Sequence, residues 1–320
     1  MARVFSTTWL HSEEEGRLTV AGHGVEMRIA DGPIGRADLL RGVADVDALL
    51  CLLTDEVDEE VLRAGGRLRV VANVAVGYEN VDVAAARRLG IAVTNTPDVL
   101  TEATADLTFA LLLAAARRIP EADRAVREGR FPAWRLDQPL LGLDVVGKTL
   151  GIVGMGRIGE AVARRGQLGF RMRIVYHSRS RHEGIEREFG AERVAFDRLL
   201  AESDYVSIHV PGTPQTRHLF DAGAFERMKP TAVLVNTSRG SVVDEAALAD
   251  ALAAGRIAGA GLDVFEREPV VDPRLLERTE RVVLAPHLGS ATRETRRRMV
   301  RLAVDNVLAV LSGRPPITPV

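Results

Sequence analysis

A glycine turn near the middle of the chain limits what it can fold into. Gly151-Ile152-Val153-Gly154-Met155-Gly156-Arg157-Ile158-Gly159 follows Lys148-Thr149-Leu150 and precedes Glu160-Ala161-Val162-Ala163-Arg164-Arg165. The order is a short apolar strand, a turn, then a run of good helix formers. In that setting Gly154, Gly156 and Gly159 form the G-x-G-x-x-G pattern of a dinucleotide site. The first glycine allows the tight turn, the second lets the backbone approach a pyrophosphate, and the third lets the helix pack on the strand. The helix start offers free N–H groups and partial positive charge to phosphates. Glycine-rich turns are common, so the motif takes its weight from the strand and helix around it.

A chain of 320 residues exceeds one ordinary domain, so two are expected. A formal net charge of -2 argues against a general binder of nucleic acid or anionic membrane. Cys51 is the only cysteine, which excludes an internal disulfide and a cysteine metal cluster, and no metal is expected. In Leu49-Leu50-Cys51-Leu52-Leu53 it reads as a small buried apolar residue. No stretch approaches a membrane span and Met1-Ala2-Arg3-Val4 opens no signal peptide, so a soluble cytoplasmic protein is expected.

The first third alternates apolar runs with helical segments. Arg3–Ser6, Val25–Ala30, Ala48–Leu53, Leu68–Asn73 and Ile91–Thr94 read as strands, and Glu56–Ala64 and Val81–Leu89 as helices. Continuous apolar strands in this alternation predict a parallel sheet covered on both faces. A helix rich in Ala and Leu follows, from Thr101 to about Arg118. It is apolar on most of its circumference and so suits an interface between domains or subunits. Residues 129–147 form a loop that carries Trp134. From there the pattern repeats, with strands at Leu150–Val153, Arg173–His177, Tyr205–His209, Ala232–Asn236, Ala260–Asp263 and Val282–Ala285, a helix at Asp244–Ala254 and a last one at Ser290–Leu311. The fold class is therefore α/β, with a second doubly wound parallel sheet.

Open sheets of this kind bind ligands beyond the carboxyl ends of their strands. Three such ends carry unusual polar groups: Thr237-Ser238-Arg239-Gly240, then Val264-Phe265-Glu266-Arg267-Glu268-Pro269, then Pro286-His287-Leu288-Gly289-Ser290. Arg239 alone could be a solvated cation, Glu268 an acid in a charged turn, and His287 a cap before the last helix. Together they put an arginine, a carboxylate and a histidine at successive strand ends. His209, at the end of another strand, reads as a structural histidine, and Arg296-Arg297-Arg298 as a solvated helix face.

The chain resembles the D-isomer-specific 2-hydroxyacid dehydrogenases, and most closely their glyoxylate/hydroxypyruvate reductases. The resemblance spans essentially the whole chain. It rests on 73–82 (Asn-Val-Ala-Val-Gly-Tyr-Glu-Asn-Val-Asp), Thr94-Asn95-Thr96-Pro97-Asp98, the glycine motif, Asn236-Thr237-Ser238-Arg239-Gly240, Gly261-Leu262-Asp263-Val264-Phe265 and Ala285-Pro286-His287-Leu288-Gly289-Ser290. It implies a smaller flavodoxin-like substrate domain of residues 1–97 and 288–320, with a Rossmann-type dinucleotide domain, 98–287, inserted. It implies reduction of a small 2-keto acid. Arg239 would hold the carboxylate and polarise the carbonyl, His287 would donate the proton, and Glu268 would fix and charge His287. Backbone N–H groups at Val76 and Gly77 would take the substrate carboxylate. Cofactor contacts are expected from Thr104, Gly154, Gly156, Arg157, Ile158, Gly159, Ser178, Arg179, Arg181, Val210, Pro211, Thr237, Ser238, Asp263 and Gly289. Asp263 reads equally well as a turn cap. Phosphoglycerate, formate and phosphonate dehydrogenases share the architecture, and so do dinucleotide-sensing co-repressors. The absence of an added regulatory domain and of disordered tails favours the reductase.

Relatives dimerise through the dinucleotide domain, so a homodimer is expected, with Trp134 reaching the partner's site and limiting substrate size. The cofactor expectation comes from the second strand of that domain. An NAD site places an acid there, about 20 residues past the glycines, to bond the ribose hydroxyls. Here the strand runs into Ser178-Arg179-Ser180-Arg181-His182, with no acid before Glu183. Ser178, Arg179 and Arg181 suit a 2′-phosphate, so NADP(H) is the expected cofactor, with NAD(H) possible.

Overall fold

The computed structural model describes residues 1–29, 32–131 and 133–320; Ala30, which closes the expected strand Val25–Ala30, and Pro132 of the expected loop lie outside them. The chain divides into two compact units, Met1–Leu100 with Thr292–Val320, and Thr101–Ala291. The joints fall just past the expected 97 and 287. Side-chain bonds account for the second shift. Leu288 N and Gly289 N donate to the Asp263 side chain, which keeps their stretch in the second unit.

The first unit holds β1 (Arg3–Ser6), β2 (Gly24–Met27), β3 (Ala48–Cys51), β4 (Val70–Asn73) and β5 (Ala92–Thr94). They form one sheet in the order β2-β1-β3-β4-β5, with every pairing parallel. Every residue of β3 and β4 is buried, as the continuous apolar runs predict for a sheet covered on both faces. Cys51 is buried in β3, and burial pushes its thiol pKa well up, which leaves it a packing residue. The long helix Arg293–Leu311 packs on β3, β4 and β5. It begins three residues after the expected Ser290, because the Thr292 side chain accepts the Thr295 N–H and caps it there.

Two helices of this unit, Ser12–Val20 and Arg36–Val43, are absent from the sequence reading. Both are polar and each contains a glycine. Gly42 is there for packing: a Cβ on it would lie 2.2 Å from the Phe5 ring. Tertiary fit has overridden helix propensity at that position.

The second unit holds β6 (Thr149–Val153), β7 (Arg173–His177), β8 (Glu192–Arg193), β9 (Tyr205–Ile208), β10 (Val233–Asn236), β11 (Gly259–Leu262) and β12 (Val282–Leu284). The sheet order is β12-β11-β10-β9-β6-β7-β8, again parallel throughout. The order reverses between β6 and β9, so the loops leaving those strands flank the crevice of a doubly wound sheet. Separate hydrophobic clusters, one around Phe220, Phe225 and Leu234, the other around Leu112, Ile152 and Tyr176, fill this unit.

The helix expected to run to about Arg118 stops at Ala116, and Arg118 is left-handed at φ 56° before a second helix, Ile119–Arg127. Thr101–Ala116 packs on β10, β11 and the helix Arg157–Phe170, so most of its apolar surface is consumed inside this unit. Among the described residues no helix is long and apolar enough to cross a membrane.

Candidate active site

The glycine turn joins β6 to the helix Arg157–Phe170, and its three glycines have three different surroundings. Gly154 sits at φ 96°, and a Cβ there would lie 2.6 Å from His209 O in the neighbouring loop. A Cβ on Gly159 would lie 2.3 Å from Gly154 O, so only glycine lets the helix close on the turn. Gly156 is the opposite case, with nothing within 4 Å of where its Cβ would be. It is also the helix N-cap, and no side chain caps it. The first-turn N–H groups thus face open space across a residue with no side chain, which is what a phosphate needs. The residues present fit a dinucleotide at this turn. Ile158 is partly buried and Arg157 exposed, at the helix start.

His209 lines the same turn. Its Nε2 lies 2.7 Å from Ser207 Oγ, and burial pushes its pKa down to about 3. It is neutral and hydrogen-bonded, as the structural reading expects. Val210 and Pro211 follow it, partly buried and exposed respectively.

The ends of β10, β11 and β12 build the rest. Asn236 closes the first turn: its Oδ1 accepts from Ser238 N at 3.0 Å and Ser238 Oγ at 2.9 Å, and its Nδ2 donates to Arg239 O at 3.0 Å. Thr237 Oγ1 lies 2.9 Å from Thr108 Oγ1. Arg239 is half-buried, with Nη1 donating to Ser238 O at 2.7 Å. A Cβ on Gly240 would lie 1.9 Å from the Phe265 carbonyl carbon, so this turn lies directly against the segment carrying Glu268.

Glu268 is held from two sides. Its Oε1 accepts Phe265 N at 3.1 Å, and its Oε2 lies 2.8 Å from His287 Nδ1. Burial raises its carboxyl pKa, but the hydrogen bond and charge of His287, the Phe265 amide and the charge of Arg239 outweigh burial and hold it below the usual range. The carboxylate is therefore ionised near neutrality and accepts from Nδ1–H. His287 is left with Nε2 as the ring atom able to exchange a proton.

Asp263 shapes the loop around His287. Its main-chain oxygen accepts His287 N at 2.9 Å. Its carboxylate oxygens accept Leu288 N at 2.6 Å and Gly289 N at 2.8 Å. Thr104 Oγ1 donates to Gly289 O at 3.0 Å and closes the other side of the loop. Both carboxylate oxygens of Asp263 thus cap the loop's own amides.

The loop after β7 carries Ser178, Arg179 and Arg181. Arg181 is paired with Glu186, Nη2 to Oε2 at 2.7 Å, and Glu186 Oε1 also accepts the Tyr176 hydroxyl at 2.7 Å. The first acid in sequence, Glu183, is exposed, while Glu186, one helical turn further, is the one that folds back. Arg181 is thus ion-paired with Glu186, its own side chain largely exposed. Ser178 is half-buried, and Arg179 is exposed, its guanidinium without a hydrogen bond or ion pair among the described residues. Arg193 of β8, which the sequence reading missed, donates to Ser178 O at 2.9 Å and Arg179 O at 2.9 Å and pins the loop from below. No local pattern announces that contact, because β8 is only two residues long.

Elsewhere, Val76 and Gly77 are half-buried on the loop after β4 in the first unit. Trp134 is 79% exposed, on an arm where Phe131 and Leu136 are also exposed.

The pattern describing the D-isomer specific 2-hydroxyacid dehydrogenase, NAD binding domain, matches residues 109–289. A glyoxylate reductase of Korarchaeum cryptofilum is 55% identical over 287 residues, 89% of this chain and 86% of that one. One from Thermococcus litoralis is 53% identical over 284 residues, 88% and 85% of the two chains. The crystal structure of an NADPH-dependent glyoxylate/hydroxypyruvate reductase of Sinorhizobium meliloti, in complex with NADP and malonate, is similar at TM-score 0.86 and 38% identity, covering 100% of this chain and 96% of that one.

The contrast between the glycines yields a test. Gly159→Ala must push the helix off the turn and should lower stability by about 1–3 kcal/mol. Gly156→Ala meets open space, so thermal unfolding should barely move while dinucleotide affinity falls at least about tenfold. Calorimetric titration of both variants alongside melting checks this; wild-type affinity in Gly156→Ala would show that phosphate does not approach there.

Proposed function

The chain belongs to the D-isomer-specific 2-hydroxyacid dehydrogenases, and on that premise we propose that it reduces a small 2-keto acid, glyoxylate or hydroxypyruvate, to the D-2-hydroxy acid, with NADP(H) preferred. The observation that carries the reading is the His287–Glu268 pair, 2.8 Å apart, beside a turn that presents Arg239.

Those groups divide the work. Arg239 holds the carboxylate through its fork of donors and polarises the carbonyl. His287 passes its Nε2 proton to the oxygen that becomes the hydroxyl, and takes a replacement from solvent. Glu268 keeps the ring oriented through Nδ1 and offsets its charge. The nicotinamide, when bound, supplies the hydride. Gly154, Gly156, Arg157, Ile158 and Gly159 would hold the pyrophosphate, and Ser178 and Arg179 the 2′-phosphate. Thr104, Val210, Pro211, Thr237, Ser238 and Gly289 would line the rest. By the same family reading Val76 and Gly77 bind the substrate carboxylate.

Preference for NADP(H) is supported by the loop after β7, which has no carboxylate at Ser178–Arg181 and has Arg179 unengaged. Arg181 shares its charge with Glu186, so of the expected 2′-phosphate ligands Arg179 would bear most of the preference and Arg181 would add a weaker contact. The exposed apolar arm around Trp134 supports a homodimer in which Trp134 narrows the substrate pocket of the other subunit.

His287→Ala should lower kcat by about 10²-fold or more while the circular dichroism spectrum is kept. Glu268→Gln removes the carboxylate that accepts from Nδ1–H and orients the ring, so kcat should fall by about tenfold or more with the fold kept. Full turnover in His287→Ala, or in Glu268→Gln, would remove those roles.

The cofactor reading is checked by kcat/KM for glyoxylate with NADPH and with NADH. One charge-assisted bond corresponds to roughly tenfold, so NADPH should lead by at least about that factor, and Arg179→Ala should erase most of the lead. A preference for NADH would overturn it. Sedimentation should give twice the chain mass; an active monomer would refute the dimer.

A further inference from the structure

The loop after β4 carries a feature that the assigned roles do not use. Consecutive carbonyls are each taken by a donor of the first unit. Ala75 O accepts Thr96 N at 2.8 Å, Val76 O accepts Asn95 Nδ2 at 2.7 Å, and Gly77 O accepts Asn73 Nδ2 at 2.7 Å. In a planar trans peptide the C=O and N–H point opposite ways. Fixing these carbonyls inward therefore turns the N–H groups of Val76, Gly77 and Tyr78 away from the donors. None of these N–H groups donates to a protein atom among the described residues. Adjacent amides left without a protein acceptor are backbone donors of the kind that can take up an anion.

The donors are themselves locked. Asn73 is fully buried at the end of β4, and its Nδ2 also reaches Asn80 Oδ1 at 3.2 Å. Asn80 Nδ2 donates to Leu52 O and Asp55 O, both at 3.0 Å. The buried Asp55 carboxylate accepts Leu52 N at 2.7 Å and Thr7 Oγ1 at 2.5 Å. Asn95 is placed by its backbone, which exchanges bonds with Thr318 at 3.3 Å and 2.7 Å. A satisfied network of this kind is rigid, and rigidity is what keeps an amide aimed where a charge will arrive.

We propose that Asn95 and Asn73 are positioning residues, which hold the carbonyls of Val76 and Gly77 so that the amides of this loop stay turned toward the substrate carboxylate. This rests on the 2-keto acid reading above and adds to it the device that aims those amides. An asparagine is suited to the task, since its side-chain amide donates to a carbonyl without bringing a charge. Aspartate, of the same size, would present oxygen to oxygen and free the peptide to rotate.

The test uses the full chain with Asn95→Leu and Asn95→Asp, both of which keep the backbone bonds to Thr318. Asn73 is a poorer first target because its burial risks the fold. Glyoxylate is compared with glycolaldehyde, a neutral aldehyde of the same carbon number. The expected result is a KM for glyoxylate raised about tenfold with kcat little changed, from the weakening of a hydrogen bond to a charged group. Efficiency with glycolaldehyde and affinity for NADPH should stay at wild-type values. A wild-type KM for glyoxylate, or equal losses on both aldehydes, overturns the brace. A second readout needs no turnover: oxalate should shift the amide resonances of Val76, Gly77 and Tyr78 in the wild-type protein, and about tenfold more should be required in Asn95→Leu. Amides that oxalate leaves unmoved overturn the brace, whereas an enzyme whose amides respond but which does not reduce glyoxylate overturns the 2-keto acid reading instead.

Discussion

The carboxylate of Asp263 is the fixed point on which the catalytic end of the second unit depends. It is 1% exposed, and burial pushes its pKa up against the pull of the Leu288 and Gly289 amides. Unpartnered at that depth it would cost several kcal/mol, so the chain wraps around it. Its carboxylate takes successive N–H groups of the loop after β12, and its carbonyl takes His287 N. The wrapping leaves His287 at φ 56°, a left-handed conformation uncommon for a residue with a side chain. Such conformations persist where the surroundings over-determine them, and they cluster at functional sites. Asp263 thus governs His287 through the backbone, and Glu268 governs it through the ring.

Close backbone approach does comparable work between the strand ends. The turn after β10 and the segment after β11 touch at Gly240, where no side chain would fit. That contact brings Arg239 near enough for its charge to help hold Glu268 ionised. Arg239, the proposed substrate ligand, and Glu268, the partner of His287, are therefore electrostatically linked through a glycine. A Cβ at 240 would separate them even if every charged residue were kept.

How much of this is legible in the sequence depends on how local each cause is. The strand–turn–helix form of the glycine motif is legible because its consequences fall within a few residues: Gly159 meets Gly154, and Gly156 caps the helix that follows. The strands are legible because a sheet covered on both faces demands unbroken apolar runs. Gly42 is not, since its reason is the ring of Phe5, on another element, and the helix around it reads as broken. The family motifs locate Arg239, Glu268 and His287, but no pattern locates what holds them. The engagement of Asp263 by the loop, the pin from Arg193 and the return of Glu186 to Arg181 are all contacts across gaps in sequence. The last of these matters most, because counting acids along the chain stops at Glu183 while the fold selects Glu186.

The chain also answers the problem of anions in an unexpected way for one so rich in arginine. It has 42 basic residues, of which only Lys148 and Lys229 are lysines, yet many of the arginines are spent on carboxylates of their own unit. Arg181 on Glu186, Arg165 on Glu102 and Asp106, and Arg118 on Glu121 are examples. A guanidinium in such a pair is a poor ligand for an incoming anion, since the carboxylate must first be displaced. Backbone N–H groups carry no such competitor. They lose little conformational freedom on binding and do not titrate. The uncapped start of the helix at Arg157 and the braced amides after β4 are both of this kind, and both lie beyond the ends of parallel strands. A side-chain cation is then needed only where charge must be discriminated or a carbonyl polarised, the roles proposed for Arg179 and Arg239. On this view the arginine content stabilises the surface, and recognition of small anions rests on peptide groups held by asparagine, glycine and the helix dipole.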